Sequence, residues 1–118
     1  MSYITQSVDY KSGHLQGGGI EYTKLNTGSY EIVASGGSDA HLVITDIVAG
    51  GSASAMLFKA SSNLDTGDDD GELVAFVPAS KTVHYPFVSP IRLPKGDTLH
   101  CDGDAGAMVV VHYHTDGN

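Results

Sequence analysis

The sequence predicts an all-β domain, an antiparallel β-sandwich or a small barrel of about eight strands. Short stretches rich in β-branched and aromatic residues follow one another at spacings of roughly ten residues, with Gly, Pro, Asp or Ser between them. No window shows the 3.6-residue period of an amphipathic helix. Fifteen glycines and no tryptophan in 118 residues are typical of a β protein with many turns.

The predicted strands can be placed one by one. They cover residues 29–35, 41–49, 53–61, 72–77, 82–88, 91–93, 98–101 and 107–115. Side chains alternate between the two faces of a strand, so Met56, Phe58 and Ala60 are expected to share one face. Pro86 and Pro90 have no N–H to give to a neighbouring strand, which places their strand at a sheet edge or breaks it.

Residues 1–28 are predicted to form an extended N-terminal arm, and residues 29–118 the sandwich domain. The arm has no sustained period, and a run of three glycines at 17–19 interrupts it. A disordered terminus or an edge strand is the alternative interpretation. Tyr3, Ile4, Val8 and Tyr10 make the segment too apolar for a purely solvated tail, which favours an arm that packs on something.

The net charge of the chain limits the kinds of partner that it can bind. Fourteen acidic and six basic residues give a net charge of −8, which repels both phosphate backbones and anionic membranes. We therefore expect neither a nucleic-acid nor a membrane partner. The first fifteen residues lack the positive start and the apolar run of a signal peptide, and the apolar runs elsewhere are far below the ~20 residues of a membrane span. The chain is expected to begin soluble and intracellular.

An acidic loop is the strongest metal-like pattern. It places Asp65, Asp68, Asp69, Asp70 and Glu72 close together, and calcium prefers such oxygen ligands. The EF-hand spacing fails, because the first and last ligand positions would fall on residues without a carboxylate. A solvated loop tip is the favoured interpretation, and the 102–104 turn is likewise expected to be a hairpin turn.

A second candidate site lies on the closing strand. His112 and His114 are two residues apart and share a face, while Val109, Val111 and Tyr113 face the core. Such a pair binds zinc, nickel or iron in cupin-type enzymes when a third ligand joins it, for which the candidates are His41, His84 and His100. The chain has no carboxylate pattern after His114 to complete a cupin site, which favours histidines at the surface or at a subunit interface.

Other chemistry has little support in the sequence. A single cysteine excludes an internal disulfide, and Cys101 alternates with Leu99 on a short strand, which favours a buried small side chain. There is no nucleophile elbow, no zinc-protease motif and no phosphate loop. We therefore expect a non-enzymatic protein without a cofactor.

The C-terminal half resembles that of small phage head proteins, which often consist of a little jelly roll with a variable N-terminal arm. The resemblance covers about residues 29–115 and includes the segments HLVITDIVAGGSASAMLFKA and PIRLPKGDTLHCDGD and the closing VVVHY. The positions that carry it are Pro90, Ile91, Leu93, Gly96, Leu99 and 109–113. It implies a capsid decoration (cement) protein with a jelly-roll fold. Such a protein binds the major capsid protein as a homotrimer on the capsid surface of a virion that assembles in the host cytoplasm.

This resemblance yields two sets of expected contacts. The arm is expected to contact the capsid or a neighbouring subunit through Tyr3, Ile4, Val8, Tyr10 and His14. The outward face of the closing strand is expected to lie near the subunit interface through Val110, His112 and His114. The alternative is a tail-fibre or receptor-binding module that recognises carbohydrate through Tyr30, Tyr85 and the acidic loop. A cupin-like metal enzyme ranks below both.

Overall fold

The computed structural model describes residues 19–26, 30–62 and 71–117. Within these ranges the chain forms eight strands in two antiparallel sheets of four and no helix, which confirms the predicted sandwich. The strands are β1 (Gly19–Lys24), β2 (Glu31–Ala34), β3 (His41–Gly50), β4 (Met56–Ser61), β5 (Glu72–Val77), β6 (Val83–Arg92), β7 (Thr98–Asp102) and β8 (Met108–Asp116).

The strands pair in a nested order. The first sheet has the order β1-β8-β3-β6 and the second the order β2-β7-β4-β5. Each strand of the first half of the chain lies beside its counterpart in the second half, so that β1 pairs with β8, β2 with β7, β3 with β6 and β4 with β5. The chain also crosses repeatedly from one sheet to the other. As a result β8 lies inside the first sheet, between β1 and β3.

The core lies between the two sheets and follows the predicted alternation. Met56 and Phe58 are fully buried on β4, and Val109 and Val111 are fully buried on β8. Cys101 is also fully buried, as its alternation with Leu99 predicted. Burying apolar area of this kind stabilises the fold by roughly 25 cal/mol per Å². The core therefore supplies most of the stability that holds the two sheets together.

Strand β1 lies within the segment 1–28 that the sequence assigned to an arm. Its residues pair with β8 from Gly19 opposite Tyr113 to Lys24 opposite Met108. The pattern of β1 is inverted, since the charged Glu21 lies opposite the buried Val111, whereas the apolar Ile20 lies opposite His112 and is exposed. This inversion explains why alternation did not reveal the strand. The arm residues Tyr3, Ile4, Val8, Tyr10 and His14 lie outside the described residues, so their predicted contacts stay a prediction.

Strand β6 is an edge strand, as its prolines predicted, but it is continuous from Val83 to Arg92. It joins the two stretches that the sequence separated as 82–88 and 91–93. Pairing with β3 covers residues 83–86 and 91–92, so the intervening residues and their proline bulge away from the neighbouring strand. A strand with prolines is tolerated here because one of its sides needs no ladder partner.

Candidate functional site

The three residues predicted at a subunit interface share the outer face of β8. Val110, His112 and His114 alternate with the buried Val109 and Val111. Because β8 is an inner strand of the first sheet, these side chains lie in the middle of a broad surface rather than at its margin. We call this surface, formed by the outward side chains of β1, β8, β3 and β6, the outer face of the first sheet. The interface role of the three residues stays a prediction.

This outer face is apolar on the β1 side. Ile20 lies opposite His112 and is 65% exposed, and Tyr22 lies opposite Val110 and is 61% exposed. Met108 is 49% exposed, and its sulfur accepts a hydrogen bond from the Tyr22 hydroxyl at 3.1 Å. Adjacent exposed apolar side chains mark an interaction site more often than isolated exposed apolar side chains do.

A carboxylate between two imidazoles lies toward the β6 side. Asp46 on β3 lies directly opposite His112, and its Oδ2 is 2.7 Å from Nε2 of His84 on β6. Its Oδ1 is 3.6 Å from Nδ1 of His112. Oδ1 of Asp46 and Nδ1 of His112 are both buried, and neither atom has a hydrogen-bond partner. The cluster therefore links three neighbouring strands while leaving one contact just beyond hydrogen-bond distance.

A β-bulge places Asp46 on this face. Strict alternation would group Asp46 with Leu42 and Ile44, both of which are fully buried. The register of β3 shifts between Ile44 and Asp46, so Ile47 turns to the core and Asp46 turns outward. Strict alternation along the sequence therefore does not reveal the Asp46–His84–His112 cluster. The signal that could have found it is a carboxylate at a core position of an otherwise apolar strand.

The third ligand that a cupin-like site needs is not brought to the histidine pair. His41 uses its Nδ1 on the carbonyl oxygen of Leu93 at 2.9 Å, and His100 is buried on the second sheet beside Thr98. His84 contacts Asp46 instead. Within the described ranges, no group of three or more His, Cys, Asp or Glu side chains is arranged to hold a metal ion.

The two tyrosines expected to form a sugar platform each contact other parts of the protein. Tyr30 is only 8% exposed, and the Lys59 ammonium lies over its ring at 5.4 Å from the centroid. Tyr85 packs against the core, and its hydroxyl donates to the carbonyl oxygen of Phe76. Residues Asp65, Asp68, Asp69 and Asp70 of the acidic loop lie outside the described residues. Tyr30 therefore offers no exposed ring face to a sugar, whereas Tyr85 is partly exposed.

The buried Cys101 is not poised for nucleophilic chemistry. Burial, reinforced by the nearby carboxylates of Asp102 and Glu31, raises the pKa of its thiol to about 12. The thiolate is the nucleophilic form, so the side chain stays an inert thiol near neutral pH. This agrees with the structural role that the sequence predicted for it.

The turn between β7 and β8 is anchored by a carboxylate. Asp104 accepts hydrogen bonds from the backbone N–H of Ala53 at 2.9 Å and from the Ser54 hydroxyl, and its own N–H donates to the Ser52 hydroxyl at 3.0 Å. The Ser54 hydrogen bond, helped by that of Ala53, lowers the pKa of Asp104. Asp104 thus fastens the loop between β3 and β4, in keeping with the turn predicted at 102–104.

Replacing Asp104 with alanine is expected to lower the melting temperature at pH 7 and to have less effect in acid. A depressed folded-state pKa contributes stability above the unfolded value of 3.8, and this contribution disappears as the pH falls through the folded pKa. Thermal melts of both proteins at pH 7 and at about pH 2.5 measure the difference. Asp39→Ala, in another turn, is the control. An equal loss at both pH values would contradict this role for the carboxylate.

Within the described residues no helix is long and apolar enough to cross a membrane. No protein-family model, no curated protein and no solved structure matches this chain.

Proposed function

We propose that the chain is a non-enzymatic virion structural protein, a decoration (cement) protein that binds the outer face of a phage capsid as a homotrimer and stabilises the shell. The observation that carries this proposal is the outer face of the first sheet. There, exposed Ile20, Tyr22 and Met108 adjoin Val110 and His112. Such a surface fits a protein that works by contact with other copies and with the major capsid protein.

The winding of the chain supports the same proposal. Nested pairing of β1 with β8, β2 with β7, β3 with β6 and β4 with β5 across two four-stranded sheets corresponds to the jelly roll that the family resemblance implies. A sandwich of this kind is a rigid body, and three copies around an axis form a closed assembly that presents the same surfaces three times.

The physical task of such a protein fits the charge of the chain. A shell filled with DNA is under internal pressure, and clamps across the joints between capsomers resist its expansion. A net charge of −8 keeps a protein on the outside of the virion soluble and gives it no affinity for the packaged DNA. The proposed location is therefore the capsid surface, after assembly in the host cytoplasm.

Co-sedimentation with capsids that lack the chain tests the proposal. We expect the purified full-length chain to sediment with the capsids and to raise the temperature at which they release DNA. Removing residues 1–18 is expected to weaken binding strongly, because Tyr3, Ile4, Val8, Tyr10 and His14 lie in the proposed contact arm. This truncation keeps β1, whereas removing 1–28 would also delete a strand of the first sheet.

The outcomes separate two parts of the proposal. Failure of the full-length chain to sediment with capsids would contradict the decoration function. Undiminished binding of the truncated chain would contradict the arm contact and place the capsid-binding surface within residues 19–118. A variant with Tyr3, Ile4, Val8 and Tyr10 replaced by serine is the matched control, since it keeps the length of the arm and removes only its apolar side chains.

A further inference from the structure

The two histidines on β8 are placed to act together on one small ligand. His112 and His114 project from the same face of one strand, about 6.6 Å apart along it. An imidazole reaches a metal ion at about 2.0–2.1 Å from its nitrogen, so two side chains at this spacing can lean toward one another and share an ion. Both side chains are only partly buried in the single chain, and an ion bound between them would lie at the subunit contact proposed for this face.

Asp46 lies beside one of the two rings. Its Oδ1 lies 3.6 Å from His112 Nδ1, and neither atom has a hydrogen-bond partner. A movement of about 0.7 Å brings them to hydrogen-bond distance. With Nδ1 turned toward the carboxylate, Nε2 of His112 is the ring nitrogen left to bind an ion. A carboxylate behind a histidine is the common arrangement around protein-bound metals, because it fixes the tautomer and makes the outer nitrogen a better ligand.

We propose that His112 and His114 chelate one late first-row transition-metal ion through their imidazole nitrogens, with Asp46 as the positioning residue behind His112. The remaining coordination positions are filled by water, since no group of three protein ligands exists in the described ranges. A two-nitrogen chelate binds Cu²⁺ more tightly than Ni²⁺ or Zn²⁺ and does not retain Mg²⁺, which prefers oxygen ligands. The proposal does not rest on the decoration function.

Titration of the full-length, tag-free protein with CuCl₂, NiCl₂, ZnCl₂ and MgCl₂ in a calorimeter tests the site. We expect one ion per chain, with the affinity order Cu²⁺ above Ni²⁺ and no Mg²⁺ binding. His112→Ala and His114→Ala are each expected to weaken Ni²⁺ binding at least about tenfold, and Asp46→Asn about tenfold. His41→Ala is the matched control, since this histidine is engaged with the Leu93 carbonyl. Circular dichroism verifies that each variant is folded, and glutamine at the same position replaces any alanine variant that is not.

Electron paramagnetic resonance of the Cu²⁺ complex provides a readout that a change in stability alone would not alter. Couplings to two imidazole nitrogens are expected in the unmodified protein and in Asp46→Asn, and to one in either histidine variant. The proposal is overturned if Cu²⁺ and Ni²⁺ do not bind at about 1 mM, or if binding is the same in His112→Ala and His114→Ala as in the unmodified protein. Wild-type affinity in Asp46→Asn would overturn the positioning role.

Discussion

Replacing Phe58 with alanine is expected to lower the free energy of unfolding by about 3–5 kcal/mol. Phe58 is the largest of the fully buried side chains and lies on β4, an inner strand of the second sheet. Its removal loses the transfer free energy of the ring and leaves a cavity between the two sheets that a close-packed interior fills only in part. Urea denaturation followed by circular dichroism measures the loss.

Phe76→Ala is the matched control for this prediction. Phe76 lies on the neighbouring strand β5, but it faces outward and is half exposed, so the same chemical change removes much less buried area. A loss of about 1 kcal/mol is expected. If Phe58→Ala does not fold, Phe58→Leu, which creates a smaller cavity, is expected to cost about half as much. Equal losses for Phe58→Ala and Phe76→Ala would show that the core does not lie where the two sheets face each other.

Replacing Tyr22 with aspartate is expected to dissociate the proposed trimer into monomers. Tyr22 is 61% exposed on the outer face of the first sheet and lies opposite Val110, one of the residues predicted at the subunit interface. A carboxylate there would be buried without a partner in the assembly, which costs several kcal/mol per copy. It also adds one negative charge to each of three chains that already carry −8. Light scattering coupled to gel filtration measures the mass.

Phe76→Asp serves as the control for the choice of surface. It introduces the same charge at a half-exposed aromatic residue on the outer face of the second sheet. The trimer is expected to survive this change. Dissociation by Phe76→Asp and not by Tyr22→Asp would place the interface on the second sheet, and a thermal melt of each variant shows whether the monomer is still folded.

The sequence was informative wherever a strand buries one complete face. On β4 the alternation of Met56, Phe58 and Ala60 predicted the inward side chains correctly, because a regular strand exposes alternate residues to the same environment. The same reasoning placed His112 and His114 together on the outer face of β8. The prolines of β6 predicted its position at the edge of a sheet, since a residue without an N–H cannot donate a hydrogen bond to a neighbouring strand.

Irregular backbone limited the prediction elsewhere. The bulges that move Asp46 outward on β3 and bury both Val33 and Ala34 on β2 depend on how neighbouring strands fit, and no single stretch of sequence encodes that fit. An edge strand within residues 1–28 was only the alternative interpretation, because β1 is stabilised by pairing with β8 while its apolar side chains face outward. The contact of Asp46 with His84 joins residues 38 positions apart, so it becomes visible only when the register of the sheet is known.

The native mass of the unmodified, full-length chain tests the central claim most directly, namely that copies of this sandwich associate as a trimer. A chain of 12.3 kDa gives a trimer of about 37 kDa. We expect this mass in native mass spectrometry and in light scattering at micromolar concentration, with conversion to 12.3 kDa only on strong dilution. A mass of 12.3 kDa at every concentration would contradict the claim.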